Sequence, residues 1–190
     1  DKDMNPVPLL AEGYERSADG LTYTVRLKKG VQFHDGTEFD AEAVKLNFDR
    51  VLRPNSGLTR RAIYTFIDTM KVVDKYTVQF TLKYPHGGFI RRLAMNNTMM
   101  VCPSLIKAAG GNKAGLALKS CGTGPYIQEE FNPSEKFVVK KNPNYRIKGL
   151  PKLDGITFIP VPENSTRAAM IRTGEADFIT TVPLEQIKSL

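Results

Sequence analysis

Residues 11–52, AEGYERSADGLTYTVRLKKGVQFHDGTEFDAEAVKLNFDRVL, change hydrophobic period part-way along, and that change constrains the fold more than any other feature of the chain. Leu21, Tyr23, Val25 and Leu27 alternate with Thr22, Thr24 and Arg26. This is the two-residue period of a strand with one buried face. After a turn at His34-Asp35-Gly36 the period lengthens, and Ala41, Val44, Phe48, Val51 and Leu52 share one helical face behind Asp40, a good N-cap. A half-buried strand and an amphipathic helix must bury their apolar faces against other elements, so the expected fold is mixed α and β in packed layers.

The rest of the chain continues this mixture. Pro6, Pro8 and Ser17-Ala18-Asp19-Gly20 make residues 1–20 read as connecting chain. Residues 60–68 are expected to form a short helix, and Val72-Val73 with Val78, Phe80 and Leu82 form a hairpin around Asp74-Lys75. A helix carries Phe89, Ile90 and Leu93, and an extended piece runs from Thr98 to Val101. Ser104 is expected to cap a helix that ends at Gly110-Gly111. Strands follow near 125–131, 136–141, 156–161 and 177–182, with a helix capped by Asn164 or Ser165 ending at Gly174. Pro183 suits the first residue of a last helix. The natural division lies near Cys102-Pro103, giving segments 1–102 and 103–190, each of which reads as incomplete alone.

Composition narrows the function classes. Of 190 residues, 41% are hydrophobic and 25% charged, the balance of an ordinary globular chain. No apolar run approaches the roughly 20 residues of a membrane helix. The opening Asp1-Lys2-Asp3 is polar, with no apolar run of a signal peptide behind it. The net charge is +7, but the basic pairs Lys28-Lys29, Arg60-Arg61, Arg91-Arg92 and Lys140-Lys141 are scattered. They form no basic stripe interleaved with aromatics, so nucleic acid is not an expected partner.

Reactive chemistry is equally sparse. The two histidines, His34 and His86, lie in turn-rich sequence without a second ligand at metal-binding spacing, so no metal is expected. Gly122-Thr123-Gly124 lacks the Lys-Ser/Thr of a phosphate loop and reads as a chain crossing where glycine permits unusual backbone angles. Glu129 and Glu130 point to opposite faces of a strand and cannot share acid–base work. No Gly-x-Ser-x-Gly elbow occurs. The two cysteines, Cys102 and Cys121, make neither a CxxC pair nor a zinc set, and fit either buried thiols or one disulfide. Capture of a solute without chemistry or cofactor is therefore expected, not catalysis.

Several blocks in order carry a resemblance to the bacterial extracellular solute-binding proteins of family 5, the peptide-, nickel- and glutathione-binding components of ABC importers. These are LAEGYERSADGLTYTVRLKKGVQFHDGTEF with DAEAVKLNFDRVL, then VVDKYTVQFTL, PHGGFIRRLA, GTGPY, KKNPNYRIKGLPKLDGITFIPV and NSTRAAMIRTGEADF. The wording of the last block is most similar to the glutathione- and nickel-binding branches. One departure is Arg146, which follows Tyr145 where the family usually has tryptophan; the chain has none.

The resemblance implies part of a class II periplasmic-binding-protein lobe. Residues 1–102 correspond to the family's inserted small domain and 103–190 to part of the lobe I core, with the second lobe absent and the chain a fragment of a longer protein. It implies capture of a short peptide or glutathione-like solute and delivery to an ABC permease in the membrane. The expected location is periplasmic or extracellular, with an upstream lipoprotein leader as one route to anchoring. Export favours a Cys102–Cys121 disulfide.

Four positions resemble cleft positions: Arg60, Asn97, Thr98 and Met99. Arg60 keeps the arginine of the nickel-binding branch and could pair a solute carboxylate in bidentate fashion. Ile63 replaces its tryptophan and Asn97 its second arginine, which weakens a nickel-chelate reading. The alternatives are a nickel-chelate-binding protein of the same family, an interaction or chaperone-like module without a cleft, which needs a large exposed apolar patch, and a thiol hydrolase.

Overall fold

The computed structural model describes residues 1–3, 5–54, 58–111, 114–182 and 187; the side chains of Thr59, Arg60, Asn97 and Ala114 lie outside that description. The fold is mixed α and β. Four antiparallel strands form the first sheet in the order β1-β2-β4-β3: β1 (Ala11–Arg16), β2 (Thr22–Leu27), β3 (Ile67–Asp74) and β4 (Thr77–Leu82). The alternation read from sequence sets its register. Tyr23 lies opposite Phe80 and Val25 opposite Val78, and all four are buried.

Helix α1 (Ala41–Leu52) packs across β3 and β4. Asp40 caps it, its carboxylate accepting the Ala43 N–H at 2.8 Å, which satisfies one of the amides a helix start leaves open. Phe48 on this helix meets Phe80 edge-on with ring centroids 5.1 Å apart and Tyr64 at 5.6 Å. Phe89, on α2 (Phe89–Leu93), closes the cluster at 5.2 Å from Phe80 and 4.7 Å from Tyr23. Such rings dominate core energetics by area and add about 0.5–1.5 kcal/mol per well-set pair.

Several expected elements differ. Residues 11–16 form a strand, although they alternate poorly: β1 is an edge strand, mostly exposed, held by its backbone ladder to β2. Residues 60–68 do not make one helix. A 3-10 turn spans Thr59–Ile63, and Ile67 already starts β3 because its backbone pairs with Leu82. Helix α3 (Pro103–Ala108) starts two residues earlier than a Ser104 cap implies, with Cys102 at the N-cap and Pro103 in its first turn, where a missing N–H costs nothing.

The second sheet, β5-β6-β7, comprises β5 (Tyr126–Asn132), β6 (Lys136–Lys141) and β7 (Gly155–Phe158). A bulge between Gln128 and Glu130 marks β5. Glu129 and Glu130 pair with different lysines, Lys140 at 3.5 Å and Lys136 at 2.8 Å. Gly155 is required where it stands: a Cβ would lie 2.9 Å from the Val139 carbonyl oxygen. Phe131, Phe137 and Phe158 form a ladder with centroids 5.5 and 5.9 Å apart, and Phe131 and Phe158 remain exposed. Helix α4 (Asn164–Thr173) ends at Gly174, whose φ of 76° is left-handed. Its N-cap is Glu163, and Asn164 instead accepts from Arg167. Residues 177–182 form no strand, because no ladder partner reaches them among the described residues, and Phe178 is 78% exposed. The helix start expected at Pro183 lies outside the described residues.

The two sheets meet at a stapled junction. Cys102 and Cys121 are joined in a disulfide with Cα atoms 5.3 Å apart, and the Cys102 N–H also donates to the Cys121 carbonyl at 2.9 Å. His34 grips the same strand of chain. Its backbone N–H donates to Gly122 O at 2.8 Å, its Nδ1 accepts the Gly122 N–H at 3.2 Å, and its Nε2 lies 3.1 Å from Gly124 O. Both ring contacts are satisfied together by the neutral Nε2–H tautomer. Gly122 and Gly124 take no positive φ; their role is to offer backbone groups at the crossing, not unusual angles. Helix α3, which follows Cys102 directly, packs back on α1.

Two outcomes follow from this packing. Phe80→Ala should cost about 3–5 kcal/mol in reversible urea unfolding, the range for a buried phenylalanine, with an unchanged denaturant slope. Reduction should release two thiols detectable by alkylation mass and lower stability by about 3 kcal/mol, the scale for a loop of this length.

Candidate functional site

The segment between α2 and α3 forms a strap across the C-terminal half of α1. It opens with a 3-10 turn, Asn96–Thr98, and then runs extended into Cys102. Three fixings hold it. Thr98 Oγ1 donates to Arg92 O at 2.8 Å. With that proton committed, the Tyr64 hydroxyl is the donor in its own short bond to Thr98 Oγ1. Farther along, Asn47 of α1 holds the Val101 peptide on both sides: Oδ1 accepts the Val101 N–H and Nδ2 donates to the Val101 carbonyl, each at 2.9 Å. The disulfide fixes the end of the strap.

These fixings place Thr98 and Met99 on the rim of a shallow open depression floored by Phe48, Val51 and Tyr64. Met99 is 69% exposed there, and Arg50 is the charged group in the lining. The 3-10 turn carrying Arg60 ends at Tyr64, the residue bonded to Thr98. The Tyr64–Thr98 bond thus ties the end of the turn that carries Arg60 to the turn that carries Asn97. The side chains of Arg60 and Asn97 themselves lie outside the described residues. Ile63 is partly buried against the core.

Sequence reasoning missed Asn47 and Tyr64. Asn47 sits on the buried face of α1 at 4% exposure, and a polar residue on an apolar helical face is the one signal that could have found it. Tyr64 carried no such signal.

Asp35, Cys102 and Cys121 place three potential ligand atoms within 4.8 Å of one another, but the two sulfurs are spent on each other and offer no thiolate. Asp35 serves the junction instead. Its carboxylate accepts from the Thr37 hydroxyl at 2.6 Å and the Thr37 N–H at 3.0 Å, and from the Ser104 hydroxyl at the start of α3. Burial pushes its pKa up, but the hydrogen bonds from Ser104 and Thr37 together outweigh it and hold the carboxyl below its ordinary value. A lowered folded-state pKa contributes stability above the unfolded value that is lost as pH falls through the folded one. Asp35→Asn should therefore flatten the loss of thermal stability on acidification below the ordinary carboxylate range, measured by circular dichroism at stepped pH.

The family model for bacterial extracellular solute-binding proteins, family 5 Middle, matches residues 5–190. The glutathione-binding protein GsiB of Salmonella paratyphi A (strain ATCC 9150 / SARB42) is 47% identical over 186 residues, 98% of this chain and 36% of that protein. The periplasmic binding protein DppA from Helicobacter pylori, solved with the peptide STSA, superposes with a TM-score of 0.86 at 30% identity over 96% of this chain and 39% of its own. A nickel ABC transporter structure from Bacillus halodurans gives 0.82 at 30% identity, covering 96% and 35%. The chain thus spans about a third of the length of these relatives. It belongs to the bacterial extracellular solute-binding proteins of family 5.

Proposed function

We propose that the protein containing this chain is the substrate-binding component of an ABC importer, capturing a short peptide or glutathione-like solute outside the cytoplasmic membrane and presenting it to a permease. The observation that carries this reading is the wall formed by Tyr64, Thr98 and Met99, with Arg50 in its lining and the arginine-bearing turn Thr59–Ile63 leading into Tyr64. Apolar and thioether surface beside cationic side chains suits a solute with carbon stems and carboxylates. Arg60 is the candidate for a bidentate carboxylate pair, with Asn97, Thr98 and Met99 on the same wall.

In this reading residues 1–102 are the inserted small domain and 103–190 part of the lobe I core. A second lobe closes over the solute by hinge motion, and closure creates the surface the permease recognises. The exposed faces of Phe158, Ile159 and Phe178 are where the remaining core of the parent packs. The solute leaves unaltered, without cofactor or catalysis. Identity to glutathione-binding relatives and superposition on a peptide complex support the solute class. A nickel chelate is disfavoured by Ile63 and Asn97, which lack the aromatic face and the charge such a complex needs.

Titration calorimetry of the full-length protein against reduced glutathione, the peptide STSA and a nickel–histidine chelate tests this. Saturable binding of glutathione or peptide at one solute per chain is expected. Heat from the chelate alone, or from none of the three, would overturn it.

A further inference from the structure

We propose that Asn47 is a positioning residue for the solute-facing wall, acting through the Val101 peptide without touching solute. The inference rests on the capture reading above. Among the described residues the strap 98–102 ladders with no strand, and its cross-chain backbone bond is the one from the Cys102 N–H to the Cys121 carbonyl at 2.9 Å. At Val101 the carboxamide of Asn47 satisfies the backbone instead, with one acceptor and one donor each 2.9 Å from the peptide groups. The second Asn47 proton goes to Ala43 O at 2.9 Å, four residues back on α1. With both protons and the oxygen engaged, the amide cannot flip without losing bonds, and its orientation is fixed by the helix. Only Met100 separates Val101 from Met99 at the rim. Asn47 therefore transmits the position of α1 to the wall, and it holds the wall ordered before solute arrives. Preorganisation of that kind raises affinity by removing an ordering cost from the binding step.

A second buried asparagine supplies the control. Asn142, 5% exposed, makes bonds of the same kind, donating to Gly124 O at 3.0 Å and accepting the Asn144 N–H at 3.0 Å. Its bonds secure the turn after β6, not the wall.

In the full-length protein, Asn47→Ala should weaken binding of reduced glutathione or STSA about tenfold, the scale of losing two peptide hydrogen bonds. Amide exchange should quicken locally from Met99 to Val101. Asn142→Ala should lower thermal stability and leave affinity unchanged. Asn47→Ser covers the case in which the alanine variant does not fold. Its hydroxyl can still bond the Ala43 carbonyl within the helix but is too short to clamp Val101, so it should show the same affinity loss. Equal affinity changes at Asn47 and Asn142, or wild-type affinity in the Asn47 variants, would overturn the positioning role while leaving the capture reading intact. Wild-type silence toward both probes would instead remove the capture reading, and the positioning role with it.

Discussion

An extended segment packed half-buried across a helix must find partners for its N–H and C=O, and Val101 finds both in one side chain, Asn47. The rest of the wall depends on this constraint. A fully buried, unpartnered backbone group costs on the order of 1–3 kcal/mol, and at half-buried Val101 the Asn47 bonds offset part of that cost. Once Val101 is held, Cys102 is placed beside Cys121, and Thr98 falls within reach of Tyr64 and Arg92. The disulfide then carries the constraint on to the crossing at Gly122, where His34 takes over. A single line of bonds thus runs from the first sheet's core, through the wall, to the second sheet.

The two halves use their apolar residues differently. In the first, aromatic rings from β2, β4, α1 and α2 enclose one another, and Phe80 and Phe89 are at most 1% exposed. In the second, Ile106, Val139 and Ala168 are buried, while Phe158 and Phe178 face outward. The first half is a platform rigid enough to present a wall. The second leaves apolar side chains such as Phe158, Ile159 and Phe178 exposed.

How much of this was legible depended on the range of the forces involved. Helix α1 and its Asp40 cap, strand β2 and the β3–β4 hairpin were readable because local periodicity and turn chemistry determine them. Strand β1 was not, because an edge strand with charged residues on both faces is fixed by its neighbour's backbone. The stretch 177–182 carries strand-forming residues, yet propensity without a ladder partner makes no strand. Thr98 and Met99 were singled out as candidates through resemblance, and both line the one depression beside Tyr64. Asn47 was not, since its partner Val101 lies 54 residues on and no local pattern links them. The glycines at 122 and 124 were noticed for the wrong property, conformational freedom, when their use is as hydrogen-bonding backbone.

The most direct measurement is a crystal structure of the full-length protein grown with reduced glutathione or STSA. The account predicts solute density in van der Waals contact with Thr98 and Met99, with a solute carboxylate on the Arg60 side of the wall. Solute bound in a closed cleft that leaves this wall facing solvent would contradict it.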